Sequence, residues 1–465
     1  MIFRVASHTD NVGPGSIYVA IPGKKLDGTQ FISAAITKGA TTIVLENDSV
    51  TEELQRLCYQ KKVCLKIVDN ARIALAELSA EAYGFPAKKL KLLGVTGTDG
   101  KSTSVYLLFH ILKAAGKSVA LLSGVEHILG EQAFLASMTT PKPDYIHYFF
   151  DQCLKNGIEY VVLELAAQAI SYRRIDGLEF DGLIFTNLAH EHGEQYASLD
   201  DYFDTKCAIL SQKKKNAPLV VHDSLWAVKV KERFPKTLYA GHQKNVDYQV
   251  IQLQETFEKQ LVELRKNNVW YQLETSLIGA YNASNVAGAF GLACELGISV
   301  DAIANGIKSF KGVAGRCERY RLPNNAWAVI DYAHTPQAYE NLLPLLKRHA
   351  RELIVVFGAG GGKDIEKRAK MGKIAAQFAE QIILTNDNPR NDDPEKIMDD
   401  IVACLTLHQK AKVFREPDRV QAIMQAYHWS HAGDIIAILG KGHETTQIIG
   451  TCSCHHKDSE VVSSL

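Results

Sequence analysis

The sequence predicts an α/β protein of three domains, each formed around a largely parallel sheet. The chain has 465 residues, 46% of them hydrophobic and 22% charged, which is enough for about three separate cores. Strands that read as apolar on both faces alternate with helical segments along its whole length, as in doubly wound sheets. Breaks in this alternation divide the chain into residues 1–88, 89–314 and 315–465.

The first domain is a small α/β unit, the second a mononucleotide-binding sheet, and the third a Rossmann-like sheet. Buried-type strands are predicted at Ser16–Ile21, Thr41–Leu45, Cys64–Val68, Leu90–Val95, Tyr160–Leu165, Gly182–Asn187, Ala326–Asp331, Glu352–Phe357, Gln381–Thr385, Lys412–Phe414 and Asp434–Leu439. Helices are predicted at Lys101–Ala115, near Tyr202–Leu210, near Asn285–Leu296 and from about Pro394.

A glycine-rich turn joins the strand at 90–95 to the helix from Lys101. It reads Gly94-Val-Thr-Gly-Thr-Asp-Gly-Lys-Ser-Thr103. Such a turn directs backbone N–H groups and a helix N-terminus at one point, where Lys101 can meet a terminal phosphate and Ser102 can hold Mg²⁺. The strict P-loop pattern is not met, because Val95 stands where its first glycine belongs, and a turn that binds nothing is the alternative reading. We predict nucleoside triphosphate binding.

Overall composition excludes several classes of protein. Lys plus Arg and Asp plus Glu both number 52, so no net field favours nucleic acid or an anionic membrane. The first residues lack the apolar core of a signal peptide, and no apolar run reaches the length of a membrane span. The nine cysteines are mostly scattered and read as reduced thiols. We expect a cytoplasmic protein.

One cluster of metal-ligand types lies near the C-terminus, at Cys452, Cys454, His455 and His456. Zinc requires four placed ligands, or three and water, and this polar run has no evident second pair of ligands elsewhere. We interpret it as a solvated loop.

Polar residues follow the strands of the second domain. Glu164 closes the strand at 160–165, where a carboxylate can serve Mg²⁺ directly or through water. Asn187 and His192 follow the next strand, and His192 reads either as a structural imidazole or, as we favour, as a ligand beside Glu191. Lys206 alone reads as a surface lysine.

A set of motifs in one order makes the resemblance specific. The chain carries Gly-Thr-Asp-Gly-Lys-Ser-Thr, Thr139-Thr140-Pro141, Phe-Thr-Asn-Leu with a following acid-His pair, Tyr-x-x-x-Lys206, Asn282-x-x-Asn285, Gly315-Arg316-x-Glu318-Arg319, Asp331-Tyr-Ala-His334-Thr-Pro, Asp387-Asn-Pro-Arg390 and Gly440-Lys-Gly-His-Glu444. Over nearly its whole length the sequence resembles the Mur ligases.

The resemblance implies an ATP-dependent amide ligase of peptidoglycan biosynthesis, forming ADP through an acyl phosphate. Lys101 and the loop amides would hold phosphates, and Mg²⁺ would bind near Ser102, Glu164, His192 and Lys206. The family carbamylates the lysine that matches Lys206, which turns a cation into an anionic ligand. The catalytic residues implied are therefore Lys101, Glu164, His192 and Lys206.

The resemblance also assigns binding residues and domain roles. ATP would contact Gly97, Thr98, Asp99, Gly100, Lys101, Ser102, Thr103, Asn187, Asn282, Asn285, Arg316 and Asp331. The other substrates would contact Thr139, Thr140, Gln168, Arg174, Arg368, Asp387, Asn388, Arg390, Gly440 and Glu444. Domain one would bind a UDP-sugar, domain two ATP, and domain three an amino acid, with the site assembled by closure.

The loop Asp387-Asn-Pro-Arg390 indicates which amino acid is added. It resembles the family's meso-diaminopimelate enzymes, and a guanidinium at Arg390 suits the distal carboxylate that lysine lacks. Glu444 would face the distal ammonium. The acceptor implied is UDP-MurNAc-L-Ala-D-Glu, and a monomer is expected. The competing reading is that this loop merely caps the following helix.

Two stretches depart from the family pattern on the acceptor side. His8-Thr9-Asp10 stands where the family has Asp-Ser-Arg, and Glu164-Leu-Ala-Ala-Gln-Ala-Ile170 stands for Glu-Val-Ser-Ser-His-Ala-Leu. Two alternatives therefore stay open. One is a Mur-type ligase with a changed acceptor, such as a folylpolyglutamate- or cyanophycin-like enzyme, and the other is a catalytically silent nucleotide-binding protein.

Overall fold

The computed structural model describes residues 1–23, 26–189, 196, 198–362 and 365–465. Within these residues the chain forms three α/β units, each with its own sheet, and a small separate hairpin. The predicted fold class is confirmed. The boundaries placed at 88/89 and 314/315 stay predictions.

The first unit is a sheet of parallel strands in the order β1-β2-β3-β4. Its elements are β1 Val5–Ala6, β2 Ile17–Val19, α1 Ile32–Thr37, β3 Thr42–Glu46, α2 Glu52–Lys61, β4 Cys64–Val68 and α3 Ala71–Ala82. The buried face of α3 packs on the sheet through Ala71, Ala74 and Leu75. The predicted strands therefore lie where the sequence placed them, with ends shifted by a residue or two.

The second unit begins with the strand and helix around the glycine turn. Its elements are β5 Lys91–Thr96, α4 Lys101–Ala114, β6 Val119–Leu122, β7 Glu126–Leu129, β8 Gln132–Leu135, α5 Pro143–Lys155, β9 Tyr160–Leu165, α6 Gln168–Ser171, β10 Gly182–Phe185, α7 Leu199–Leu210, β11 Leu219–His222, α8 Leu225–Arg233, β12 Leu238–Gly241, β13 Tyr248–Glu255, β14 Gln260–Lys266, β15 Val269–Thr275, α9 Ala280–Glu295 and α10 Val300–Ser309. The strand order is β15-β14-β13-β12-β11-β10-β5-β9-β6-β7-β8.

This sheet is parallel from β13 to β6 and antiparallel at both edges. The sequence reading missed these edge hairpins. Asn267 and Asn268, both at positive φ (48° and 63°), form the two-residue turn between β14 and β15. An Asn-Asn pair between two alternating runs is a hairpin signal, so this element was readable from the sequence.

The third unit places an antiparallel edge strand beside five parallel ones, in the order β16-β17-β21-β18-β19-β20. Its elements are β16 Glu318–Arg321, β17 Trp327–Asp331, α11 Pro336–His349, β18 Leu353–Phe357, α12 Glu366–Phe378, β19 Gln381–Leu384, α13 Pro394–Val402, α14 Leu407–Lys410, β20 Val413–Arg415, α15 Arg419–Trp429, β21 Ile435–Leu439, β22 Thr446–Ile449, β23 Cys452–His455 and α16 Asp458–Ser463.

The prediction of a loop at the cysteine cluster is wrong. Cys452, Cys454 and His455 belong to β23, which pairs with β22 in an exposed antiparallel hairpin. The two imidazoles of the cluster have different partners. His455 hydrogen-bonds to Glu460, and the buried His456 hydrogen-bonds to Asp458. Tight pairing across Gly450, which lies at a positive φ of 59°, gives this polar run its regular structure.

The second and third units are joined by polar contacts. Arg319 donates to the carbonyl oxygens of Phe257 and Ser276, and Glu255 accepts from His349 and Arg348. Residues that follow β5 and β10 face residues that follow β17 across a cleft between the two units. The lining of this cleft includes Asp99, Asn187 and Asp331.

Candidate active site

The glycine turn connects β5 to α4, as the sequence predicted. Gly97 lies at φ 146° and Gly100 at φ 81°, a region that residues with a Cβ rarely enter. A Cβ on Gly97 would lie 1.9 Å from Thr186 Oγ1, and one on Gly100 would lie 2.4 Å from Asn285 Oδ1. Both positions therefore require glycine for conformation and for space.

Contacts from the following strand hold the turn in place. Asn187 Oδ1 accepts from the amide of Asp99 at 2.8 Å, and its carbonyl accepts from the amide of Thr98 at 3.0 Å. Thr186 Oγ1 donates to the Asp99 carbonyl at 2.6 Å. Lys101 Nζ donates to the Thr98 carbonyl at 2.5 Å, so the ammonium lies within the turn. Asn187 thus supports the loop that would bind phosphate.

Glu164 is a buried carboxylate beside the turn, with 4% of its surface exposed. Its Oε2 accepts from Ser102 Oγ at 3.0 Å and from the amide of Gly124 at 2.9 Å. Its backbone carbonyl accepts from Thr140 Oγ1 at 2.8 Å. A hydroxyl and a carboxylate at this separation supply the oxygen ligands that Mg²⁺ prefers.

Of the other two predicted metal ligands, Lys206 and His192, the structure describes only Lys206. Lys206 is 1% exposed, and its Nζ donates to the Gly97 carbonyl at 2.7 Å, so this lysine is directed at the glycine turn rather than at solvent. Reading it alone as a surface lysine is therefore wrong, because α7 turns it toward the sheet. His192, with Glu191, lies outside the described residues.

A cavity of about 240 Å³ opens beside the turn, between the second and third units. Its lining includes the predicted nucleotide residues Asp99, Gly100, Thr103, Asn187, Asn282, Asn285, Arg316 and Asp331. Asn285 Nδ2 donates to Asn282 Oδ1 at 3.1 Å, which fixes both amides on α9. Residues that are distant in the sequence thus line one cavity.

Arg316 and Asp331 bring opposite charges to this cavity from the third unit. Arg316 stacks on the Tyr332 ring at 4.6 Å, and its Nε is buried without a hydrogen-bond partner among the described residues. Burial raises the pKa of Asp331, while Arg316 and the amides of Cys317 and Ala333 oppose that rise. The unsatisfied guanidinium N–H suits an anionic ligand.

A second cavity, of about 290 Å³, lies between the first and second units. Three cationic side chains line it, those of Arg72, Lys142 and Arg174, together with Tyr18 and Tyr172. Burial lowers the pKa of Lys142, which Asp144 opposes and Arg174 and Arg72 reinforce. Accumulated positive charge beside aromatic rings suits a phosphorylated ligand with a planar base.

Hydrogen bonds connect this cationic cavity to Glu164. Arg174 Nη1 donates to the Thr140 carbonyl at 2.7 Å, and Thr140 Oγ1 binds both the Glu164 carbonyl and the amide of Ala166. Thr139 packs beside Gly124, and Gln168 is the half-buried first residue of α6. The predicted acceptor residues therefore lie along one path between the cationic cavity and the glycine turn.

The predicted amino-acid residues come together at the carboxyl ends of β19 and β21. Asn388 Nδ2 donates to Glu444 Oε2 at 2.8 Å, and a Cβ on Gly440 would lie 2.5 Å from an oxygen of Asp387. Arg390 is half-buried, and its Nη1 donates to the Gly361 carbonyl at 2.8 Å. The loop that carries Arg390 also bridges Ile449 of β22.

Arg368 is placed differently from these residues. It is 2% exposed, and its guanidinium binds Asp392 at 2.9 Å and Asp400 at 2.8 Å within its own unit. These ion pairs tie α12 to α13 and to the segment before it, so the structure gives Arg368 a bracing position beneath the loop of Arg390.

Sequence reasoning overlooked several lining residues. His222 and Tyr281 line the cavity beside the glycine turn, and Arg72, Lys142 and Tyr172 line the cationic one. Lys142 adjoins a quoted motif and could have been noticed. The others carry no local signal, because only the packing of separate units brings them to a cavity wall.

The residues present fit both ATP and Mg²⁺. Gly97 and Gly100 leave a cradle that any Cβ would fill, Arg316 carries an unpartnered N–H, and Ser102 and Glu164 offer paired oxygen ligands.

Among the described residues no helix is both long and apolar enough to cross a membrane.

Comparison with known proteins defines the class of this one. Family models for the Mur ligase catalytic, middle and glutamate ligase domains match residues 5–83, 95–293 and 315–442. A UDP-N-acetylmuramoyl-L-alanyl-D-glutamate--2,6-diaminopimelate ligase of Phocaeicola vulgatus is 33% identical, over 98% of this chain and 93% of its own. The chain therefore belongs to the Mur ligase family, whose members are ATP-dependent, ADP-forming amide ligases.

Solved structures agree with this assignment. A solved UDP-N-acetylmuramoyl-L-alanyl-D-glutamate--2,6-diaminopimelate ligase is 25% identical, with a TM-score of 0.67 over 100% of this chain and 94% of that one. MurF ligase from Thermotoga maritima, solved in complex with ADP, is 20% identical with a TM-score of 0.68, over 94% and 93% of the two chains. The MurF likeness is one of fold.

Proposed function

We propose that this protein adds meso-diaminopimelate to UDP-MurNAc-L-Ala-D-Glu with cleavage of ATP to ADP and phosphate, in peptidoglycan biosynthesis. The observation that carries the proposal is the position of Glu164. Its carboxylate binds Ser102 at the phosphate turn, while its backbone accepts from Thr140 on the path to the cationic cavity. Nucleotide and acceptor would therefore meet at one buried carboxylate.

In the reaction proposed, the acceptor's free carboxylate attacks the γ-phosphate, and the amine of the incoming amino acid then displaces phosphate from the acyl phosphate. Lys101 and the amides of the turn hold the phosphates and balance the charge that gathers on their oxygens. Arg316 covers the same phosphates from the third unit. Because the site is assembled from two units, closure of the cleft would exclude water from the acyl phosphate.

Bound Mg²⁺ would add electrostatic stabilisation of the transferring phosphoryl group. Ser102 and Glu164 would hold one ion. His192 and Lys206, the latter as a carbamate, would hold a second beside the acceptor. Lys206 is buried beside the turn, and an ammonium at such a position would repel a cation, whereas a carbamate supplies two oxygens. We propose this modification for the active enzyme.

The acceptor's nucleotide would occupy the cationic cavity between the first two units. Arg72, Lys142 and Arg174 match the charge of a diphosphate, and the exposed ring of Tyr172 offers a surface for the uracil ring. These cations, from α3 and from the segments before α5 and after α6, would take the place of the family residues that are changed at His8-Thr9-Asp10 and after Glu164. The protein would act as a monomer in the cytoplasm, where ATP is available.

The direct test is ligation with defined substrates. Purified protein is given ATP, Mg²⁺ and UDP-MurNAc-L-Ala-D-Glu, with meso-diaminopimelate or L-lysine in parallel, and phosphate release and tripeptide formation are both measured. We expect product with diaminopimelate and far less with lysine. Absence of product with either amino acid, together with normal ATP binding, would indicate a silent nucleotide-binding protein. Ligation to a folate or a peptide acceptor would indicate a changed acceptor.

A further inference from the structure

The loop that follows β21 contains a fully buried lysine. Lys441 has no exposed side-chain surface, and its Nζ donates to Thr446 O at 2.7 Å, Glu444 Oε2 at 2.9 Å and Asn388 Oδ1 at 3.2 Å. An ammonium has three N–H bonds, and all three are used. Lys441 therefore has no donor left for a ligand and can act only through its neighbours.

Two of those neighbours are residues proposed to recognise the amino acid. Asn388 Oδ1 accepts from Lys441 and from the amide of Ile448 at 2.9 Å, which fixes the amide so that its Nδ2 faces Glu444. Glu444 Oε2 accepts from both Lys441 and Asn388, and Glu444 Oε1 has no hydrogen-bond partner in the described ranges. The lysine thus leaves one carboxylate oxygen directed and available.

The charge balance of the pocket follows from the same contacts. Glu444 is 31% exposed, so its carboxylate can be reached by a ligand, but its charge is paired with a buried ammonium 2.9 Å away. A paired carboxylate attracts a lone ammonium less strongly than a free one does. Arg390, by contrast, has only a backbone carbonyl as a hydrogen-bond partner of its side chain within the described residues.

We propose that Lys441 is a specificity-determining positioning residue, which neutralises Glu444 so that the pocket favours a zwitterionic amino-acid end over a bare ammonium. This inference rests on the proposed function. With Lys441 present, Glu444 orients the distal ammonium while Arg390 and the distal carboxylate supply the net attraction. Without Lys441, the full charge of Glu444 would attract lysine, and the discrimination between the two amino acids would fall.

The test measures kcat/KM for meso-diaminopimelate and for L-lysine with Lys441→Met, Glu444→Gln and the double variant. We expect Lys441→Met to lower the ratio of the two values about tenfold or more. The double variant should differ little from Glu444→Gln, because Lys441 then has no carboxylate to neutralise. Lys347→Met is the matched control, since Lys347 pairs with Glu380 in the same unit at 2.6 Å, outside the pocket.

A purely structural lysine would give a different result. Lys441→Met would then lower kcat/KM equally for both amino acids, and the unchanged ratio would overturn the inference. If Lys441→Met does not fold, the double variant, which leaves no buried charge unpaired, is compared with Glu444→Gln. A difference of more than about threefold between their ratios of kcat/KM for diaminopimelate to kcat/KM for lysine then overturns the inference. Failure of the wild type to use diaminopimelate would refute the proposed function instead, before any variant is compared.

Discussion

Replacement of Arg390 by alanine should remove most of the preference for meso-diaminopimelate over lysine. The guanidinium is half-buried, and Gly361 O takes one N–H of Nη1. Nε and Nη2 have no partner among the described residues, which leaves one edge of the fork for a bidentate contact with a carboxylate. Arg390 lies at a positive φ of 52°, so alanine carries a backbone strain similar to that of arginine.

The size of the effect follows from the partial burial of this site. An exposed ion pair contributes about 0–1 kcal/mol, and loss of one partner of a buried pair costs about 3–5 kcal/mol. A half-buried, charge-assisted bidentate contact lies between these limits, at about 2–4 kcal/mol. That range corresponds to a loss of ~30-fold to several hundred-fold in kcat/KM for diaminopimelate.

The assay is phosphate release at saturating ATP and acceptor, with the amino acid varied. The KM for diaminopimelate should rise steeply and that for ATP should change little, since Arg390 lies in the third unit away from the glycine turn. Arg390→Lys keeps the charge without the fork and should recover only part of the loss. Arg415→Ala, which removes a surface guanidinium paired with Glu395 and Asp399, is the control.

Two results would refute this reasoning. One is a wild-type enzyme that uses lysine as well as it uses diaminopimelate. The other is an Arg390→Ala variant that loses activity with both amino acids in the same proportion, which would place Arg390 in support of the loop rather than in recognition.

Three further changes test other parts of the molecule. Lys101→Ala should lower turnover by orders of magnitude with an unchanged thermal melt, and near-normal ligation would contradict the phosphate turn. Lys206→Ala should be nearly inactive and partly rescued by high acetate if the residue is carbamylated; full activity without acetate, or an unmodified mass for active wild type, would count against this. Burial by itself raises the pKa of Asp458. Its contacts with Arg419 and His456 lower that pKa by a larger amount, so the pKa lies well below its usual value. Its stabilisation is therefore present above about pH 4 and lost as pH falls toward that lowered pKa; Asp458→Asn should cost about 3–5 kcal/mol in urea unfolding at pH 7, and an unchanged midpoint would refute the pairing with Arg419.

The strand and helix on either side of the glycine turn were predictable because their signals in the sequence are local. Apolar runs, glycines and a Lys-Ser pair lie within ten residues of each other, and the backbone conformations they require depend little on the rest of the chain. The structure keeps the strand, turn and helix at 91–114 almost where the sequence put them. The edge hairpin at Asn267-Asn268 carries an equally local signal.

The motifs of the third unit indicated which residues belong to the site but not which of their side chains contact each other. Asp387, Asn388, Arg390 and Glu444 were expected in one pocket, and the structure places Asn388 against Glu444. Nothing in the sequence separates Arg368 from that group. Only the packing of α12 on α13 reveals that its guanidinium is taken by Asp392 and Asp400.

By itself, therefore, the sequence determined the fold class, the glycine turn and the residues at strand ends, because each depends on backbone preferences over a few neighbouring positions. Tertiary structure alone decided which charges are paired and which remain available. No local feature of the sequence indicates that Lys441 is buried, yet its ammonium is completely buried beside Asn388 and Glu444. Burial and pairing depend on contacts between residues far apart in the sequence, 56 positions for Asn388 and Glu444 and 109 for Lys206 and Gly97, and these contacts form only when the chain packs.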